Sequence, residues 1–152
     1  MPDHVILISV TGPFAESLSE GRLAEVARRV LEAEGTPPCE LSVAVTDDET
    51  VRRLNREYAG EDAVTDVLSF SQREGEEFVA PPEGAPPLGE VVIAYPQAAR
   101  QAAERGHTAD EEVTRLLVHG VLHLLGYDHA ELDEARRMRE REEALAGDAD
   151  AG

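Results

Sequence analysis

Apolar positions in this chain recur with two periods, and the changes of period mark out the elements. His4-Val5-Ile6-Leu7-Ile8-Ser9-Val10 is rich in β-branched residues and stops at Thr11-Gly12-Pro13, which predicts a strand followed by a turn. Leu23, Val26, Ala27, Val30 and Leu31 then fall at helical spacing until Gly35-Thr36-Pro37-Pro38 ends the run. Leu41-Ser42-Val43-Ala44-Val45 alternates as a half-buried strand does. Thr46-Asp47-Asp48-Glu49 has the form of a capping box, and Val51, Leu54 and Tyr58 give the helix behind it an apolar face.

Thr65 to Ser71 predicts a third strand with Leu68 and Phe70 on one face. Arg73 to Pro87 has no period and is dense in Glu, Gly and Pro, so it predicts an exposed connection, with a lid as the alternative role. Leu88 to Tyr95 predicts a fourth strand, and Pro96 opens an alanine-rich helix that ends near Gly106. Thr108-Ala109-Asp110-Glu111 is a second capping box. The helix it opens is apolar nearly all round, through Leu116, Leu117, Val118, Val121, Leu122, Leu124 and Leu125, so it is expected to be the central buried one. A last helix, about Ala130 to Ala146, is charged on most faces and belongs on the surface. These elements predict a single α+β domain over residues 1–152, with about 147–152 a flexible tail. Its small mixed four-stranded sheet should pack against about five helices.

Composition narrows the functional classes. The formal net charge is −18, which argues against a nucleic-acid partner unless the local field of a cleft departs from the average. Much of the acid lies in Glu74 to Glu83 and in Glu140 to Asp150. All 14 basic residues are arginine, so lysine Schiff-base chemistry and a Walker-type lysine are excluded. The single cysteine, Cys39, cannot form an internal disulfide. Met1-Pro2-Asp3-His4 lacks a basic leader and no apolar run is long enough for a bilayer, so the expected location is cytoplasmic.

The chemistry concentrates in His119-Gly120-Val121-Leu122-His123-Leu124-Leu125-Gly126-Tyr127-Asp128-His129, which holds three of the five histidines. Four residues apart on a helix, His119 and His123 stand one above the other, their Cβ atoms about 5–6 Å apart, and can share one metal. A continuing helix would carry His129 about 9 Å further along the axis, out of reach of a zinc–nitrogen bond of about 2.0–2.1 Å. Gly126 resolves this, because glycine adopts the left-handed conformation that ends a helix and turns the chain back. Three imidazoles leave a fourth position for water, which favours one Zn2+ per chain and a catalytic site. A histidine pair on an apolar helix also serves simple packing; the conjunction with Gly126 and His129 is what favours metal. The spacing is that of the metzincin zinc proteases, with Gly120 where they carry glutamate.

The string HGVLHLLGYDH resembles the signature of the YbeY family, bacterial metal-dependent endoribonucleases of ribosomal RNA maturation. Asn55-Arg56-Glu57-Tyr58 with Asp62 and Thr65-Asp66-Val67-Leu68-Ser69-Phe70 is similar to a second block of that family, and Leu88-Gly89-Glu90-Val91-Val92-Ile93 to a third, where the family usually has aspartate in place of Glu90. The resemblance implies a single-strand-specific endoribonuclease that acts in 3′ end maturation of small-subunit 16S rRNA and in ribosome quality control. Its partners would be single-stranded RNA and the small ribosomal subunit, with no DNA and no membrane. The family usually has arginine after the tyrosine matching Tyr58 and lysine two residues later; here these are Ala59 and Glu61, so Arg56 and Arg73 become candidates for the phosphate contact.

From the residues alone, a zinc site could serve a phosphate ester or a peptide, with metal-bound water as the activated group. The missing acid at position 120 weakens the peptide reading, since general acid–base help is worth about 10²–10⁴ in rate. Asp128 and Asp66 are the candidate carboxylates. Asp128 also suits an N-cap with Glu131, and Asp66 also suits a turn or an orienting contact to a ligand histidine. Ser69 is a candidate for the cleft wall. Two rivals stand beside the nuclease: a non-catalytic ribosome-assembly factor stapled by its metal, and a metzincin-like metalloprotease with an unrecognised base.

Overall fold

The computed structural model describes residues 4–15, 18–71 and 86–126. Its strands are β1 (Val5–Val10), β2 (Glu40–Thr46), β3 (Val67–Ser71) and β4 (Pro87–Ala94). Its helices are α1 (Gly12–Ala15), α2 (Glu20–Ala33), α3 (Asp48–Ala59), α4 (Tyr95–Arg105) and α5 (Ala109–Leu124). The strands form one mixed sheet in the order β1-β2-β4-β3, with β3 antiparallel to β4 and the other pairs parallel. This is the expected α+β architecture. The expected final helix over 130–146 and the connection 73–85 lie outside the described residues.

β4 sits inside the sheet because it can be buried on both faces: Val91, Val92, Ile93 and Ala94 are all buried, the continuous apolar run of an interior strand. Leu23, Val26, Ala27, Val30 and Leu31 of α2, with Leu116, Leu117, Val118, Val121 and Leu122 of α5, cover one face in the main core. On the other face α3 packs Val51 and Leu54 over Val92, Ala94, Leu68 and Phe70. Tyr58 departs from its expected place on that apolar stripe. It lies in the last turn of α3, 70% exposed, and its ring meets the Phe70 ring edge-on at 5.3 Å.

Several boundaries move by a residue or two. Thr11-Gly12-Pro13, expected as a turn, leads into the one-turn α1, since proline suits the first turn of a helix. The α3 N-cap is Asp47 rather than Thr46: its carboxylate accepts the Thr50 backbone N–H at 2.7 Å. Two cap-forming residues adjoin there, and the exit of β2 at Thr46 decides between them. The second box is as expected, with Thr108 and Glu111 bonded reciprocally at 3.1 and 2.9 Å.

These caps carry a pH signature. Bonds from Thr50 hold Asp47 below the usual carboxylate range, and bonds from Thr108 do the same for Glu111. The Arg52 guanidinium beside Asp62 lowers that carboxylate too. A carboxylate whose folded pKa is depressed adds stability above its unfolded value of about 4, and loses it as pH falls through the lower folded value. The urea midpoint is therefore expected to be flat from about pH 7 to 5 and to fall below about pH 4. Asp62 is exposed and Asp47 and Glu111 are only half-buried, so the effect should shrink in high salt.

α5 also carries Glu112, fully buried, which the sequence reading passed over. Arg115 grips it with two bonds, at 2.7 and 3.2 Å, and Arg105 from α4 stands at 3.6 Å. Removing one partner of a buried ion pair costs about 3–5 kcal/mol. Arg105 remains, so Arg115→Met is expected at the lower end, about 3 kcal/mol in a denaturant titration.

Candidate metal centre

The site is built on α5, a helix held at its start by the Thr108 box and along its length by its packing in the main core. His119 and His123 are half-buried, with ring centroids 4.7 Å apart and planes at 66°. They face a cleft of about 340 Å³ whose other walls are Val67, Leu68, Ser69, Ser71 and Leu124. One turn later the helix stops. Leu125 is its C-cap and Gly126 follows at φ 104°, its N–H donating to the His123 carbonyl at 3.0 Å. The left-handed glycine expected from the spacing is in place. Tyr127, Asp128 and His129 lie outside the described residues.

Gly120 points the other way. A Cβ built on it would lie 2.7 Å from Val91 Cγ1 and 3.2 Å from Ser69 Oγ, so the helix rests directly on β4 and β3 at this point. The Ser69 hydroxyl donates to the Gly120 carbonyl at 3.2 Å, clamping strand to helix beneath the histidines. Ser69 thus lines the cleft as expected.

Two imidazoles presented together on one turn suit a borderline-soft cation such as zinc, which accepts nitrogen donors. Among the described residues no group of three or more His, Cys, Asp or Glu gathers at one point, and His129, the third histidine of the expected set, lies outside them. Asp66 enters β3 just before Val67; its carboxylate accepts from the Thr65 hydroxyl at 3.5 Å and its carbonyl from Ala94 N–H at 2.9 Å. It is not among the residues lining the cleft. Arg56 is not there either. It is exposed on α3, on the far face of the sheet, 3.9 Å from Asp62. A depression of about 370 Å³ on that helix is lined by Arg52, Arg53 and Arg56 but also by Asp47 and Glu49, and Arg52 is already held by Asp62 at 2.8 and 3.2 Å. Ala59 is exposed at the end of α3.

Residues 14–149 match the family model described as Endoribonuclease YbeY. The chain belongs to the YbeY family. It is 44% identical to the Endoribonuclease YbeY of Roseiflexus castenholzii over 97% of this chain and 95% of that one. It is 48% identical to the Endoribonuclease YbeY of Pelotomaculum thermopropionicum over 84% of each. The solution structure of TM1509 from Thermotoga maritima shares the fold at a TM-score of 0.62 and 24% identity, covering 97% of this chain and 93% of that one. Membership places the histidine cleft within an RNA-cleaving family, and the departures at Ala59 and Glu61 within it as well. Among the described residues no helix is long and apolar enough to cross a membrane.

Proposed function

We propose that this chain is a zinc-dependent endoribonuclease specific for single strands. It would act in the cytoplasm on ribosomal RNA, in 3′ end maturation of small-subunit 16S rRNA and in ribosome quality control, with the small subunit as partner. The observation that carries the reading is the His119–His123 pair at the mouth of a cleft, with rings 4.7 Å apart. Family membership supplies the RNA substrate. His119, His123 and His129 would hold one Zn2+ per chain, which when bound supplies Lewis acidity toward a phosphoryl oxygen and a water acidified toward neutrality. Asp128, which precedes a ligand, is the carboxylate assigned to take a proton from the attacking oxygen, and Asp66, which precedes the strand that walls the cleft, is assigned the orienting contact to a ligand histidine.

A second reading keeps some weight. Ala59 stands where the family usually has arginine, and no arginine is among the described residues lining the cleft, Arg73 lying outside them, which supports an assembly factor whose metal is only a staple. The deciding experiment is elemental analysis of protein purified without added metal, together with cleavage of a single-stranded RNA, for the wild type, His119→Ala and His129→Ala. The expected result is about one zinc per chain, lost in both variants together with cleavage. Zinc without cleavage in the wild type would move the reading to the assembly factor.

A further inference from the structure

β3 is an edge strand: β4 pairs with one side, and among the described residues no strand lies on the other. The register fixes which backbone groups face outward. Ala94 N–H donates to the Asp66 carbonyl, so the antiparallel ladder exchanges bonds at Leu68 with Val92 and at Phe70 with Glu90. Val67 and Ser69 therefore turn their N–H and C=O groups away from β4. Both residues wall the cleft that holds His119 and His123.

Among the described residues lining this cleft there is no arginine, and the chain carries a net charge of −18. On these described walls the donors that face an anion are neutral ones, and the outward backbone supplies them. A strand edge also alternates donor with acceptor, like groups recurring about every 6.6–6.8 Å. RNA offers the complement: phosphate oxygens accept, and ribose 2′-hydroxyls donate. The DNA backbone offers the acceptors alone and would leave the outward carbonyls unpaired, which is costly in a partly desolvated cleft.

We propose that the outward edge of β3 is the rail that holds single-stranded RNA beside the histidine pair, Val67 and Ser69 giving N–H bonds to phosphates and C=O acceptors to 2′-hydroxyls. The edge thereby positions the substrate and selects RNA over DNA. This rests on RNA being the substrate, as proposed above. An extended peptide would also match a strand edge, and the test distinguishes it.

Full-length zinc-loaded protein is prepared with the α-hydroxy acid analogue of one residue, which turns an amide into an ester. At position 69 this deletes the outward Ser69 N–H; at position 68 it weakens the outward Val67 carbonyl as an acceptor and deletes an inward N–H. At fixed salt, KM and kcat are measured on a single-stranded oligoribonucleotide, and Ki for the oligodeoxynucleotide of the same sequence. The ester at 69 should raise the RNA KM and the DNA Ki alike, roughly tenfold, as loss of one bond to a charged group does, with kcat little changed. The ester at 68 should raise the RNA KM and leave the DNA Ki unmoved. A purely structural effect would instead lower kcat and the melting temperature together, without separating RNA from DNA, and would overturn the rail. Unchanged KM and Ki in both variants would overturn it while leaving the nuclease reading intact. A competing peptide whose Ki alone rises in the ester at 69 would make the edge a peptide site. Wild-type protein that cleaves no RNA would sink the proposed function and the rail with it.

Discussion

His123→Ala is expected to lose bound zinc and to cut RNA cleavage by more than about 10²-fold, the upper range seen when only a ligand's supporting partner is removed. His123 sits in the last turn of α5, half-buried at the cleft, and its carbonyl accepts the Gly126 N–H that begins the return of the chain. Alanine keeps that backbone bond and favours the helix, so the fold should survive without ligand. Activity and metal content should therefore fall while the far-ultraviolet circular dichroism stays native. A variant that keeps full zinc would show that His123 is not a ligand, whatever its activity.

Much of α5 is legible in the sequence alone. The Thr108 box, the apolar residues around the whole helix and the glycine three residues after His123 are local signals, each written in a window of a few residues. The structure places each as expected. The rest of the site depends on contacts between distant residues. Strand order is one such case: β4 inserts between β2 and β3, against chain order, which a reading of four strands and a mixed sheet leaves open. The outward-facing groups of Val67 and Ser69 follow from the register with β4, which no local pattern encodes. Arg56 shows the opposite failure. Ala59 in place of the family arginine made Arg56 a candidate for the phosphate contact, but α3 covers the other face of the sheet. Sequence neighbours of a motif need not share its side of the sheet.

The Glu112 cluster was missed for a different reason. A glutamate three residues before an arginine is ordinary on an exposed helix and worth a few tenths of a kcal/mol there. Only the packing of α4 against α5 makes it a fully buried charge.

Gly120→Glu restores the residue that metzincin spacing would place after the first histidine, and it is expected to destroy the fold rather than create a protease. The side chain would leave the helix toward β4, where its first carbon already meets Val91 Cγ1 at 2.7 Å. Val91 is fully buried and β-branched, so it cannot swing aside cheaply. Overpacking of this kind costs about 1–3 kcal/mol, and Gly120→Ala should show that much in a urea titration, less the helix propensity of about 1 kcal/mol that alanine restores. The glutamate adds a carboxylate pressed into a core that offers it no described cation, at several kcal/mol more. The sum is comparable with the whole stability of a small domain, about 5–15 kcal/mol, so Gly120→Glu should be recovered unfolded or aggregated. A soluble Gly120→Glu protein with native circular dichroism that cleaves peptide would overturn this placement and revive the protease. The same geometry explains why the residue is glycine here: the helix that carries His119 and His123 lies against the sheet through position 120, and the Ser69 hydroxyl closes the contact by bonding the Gly120 carbonyl.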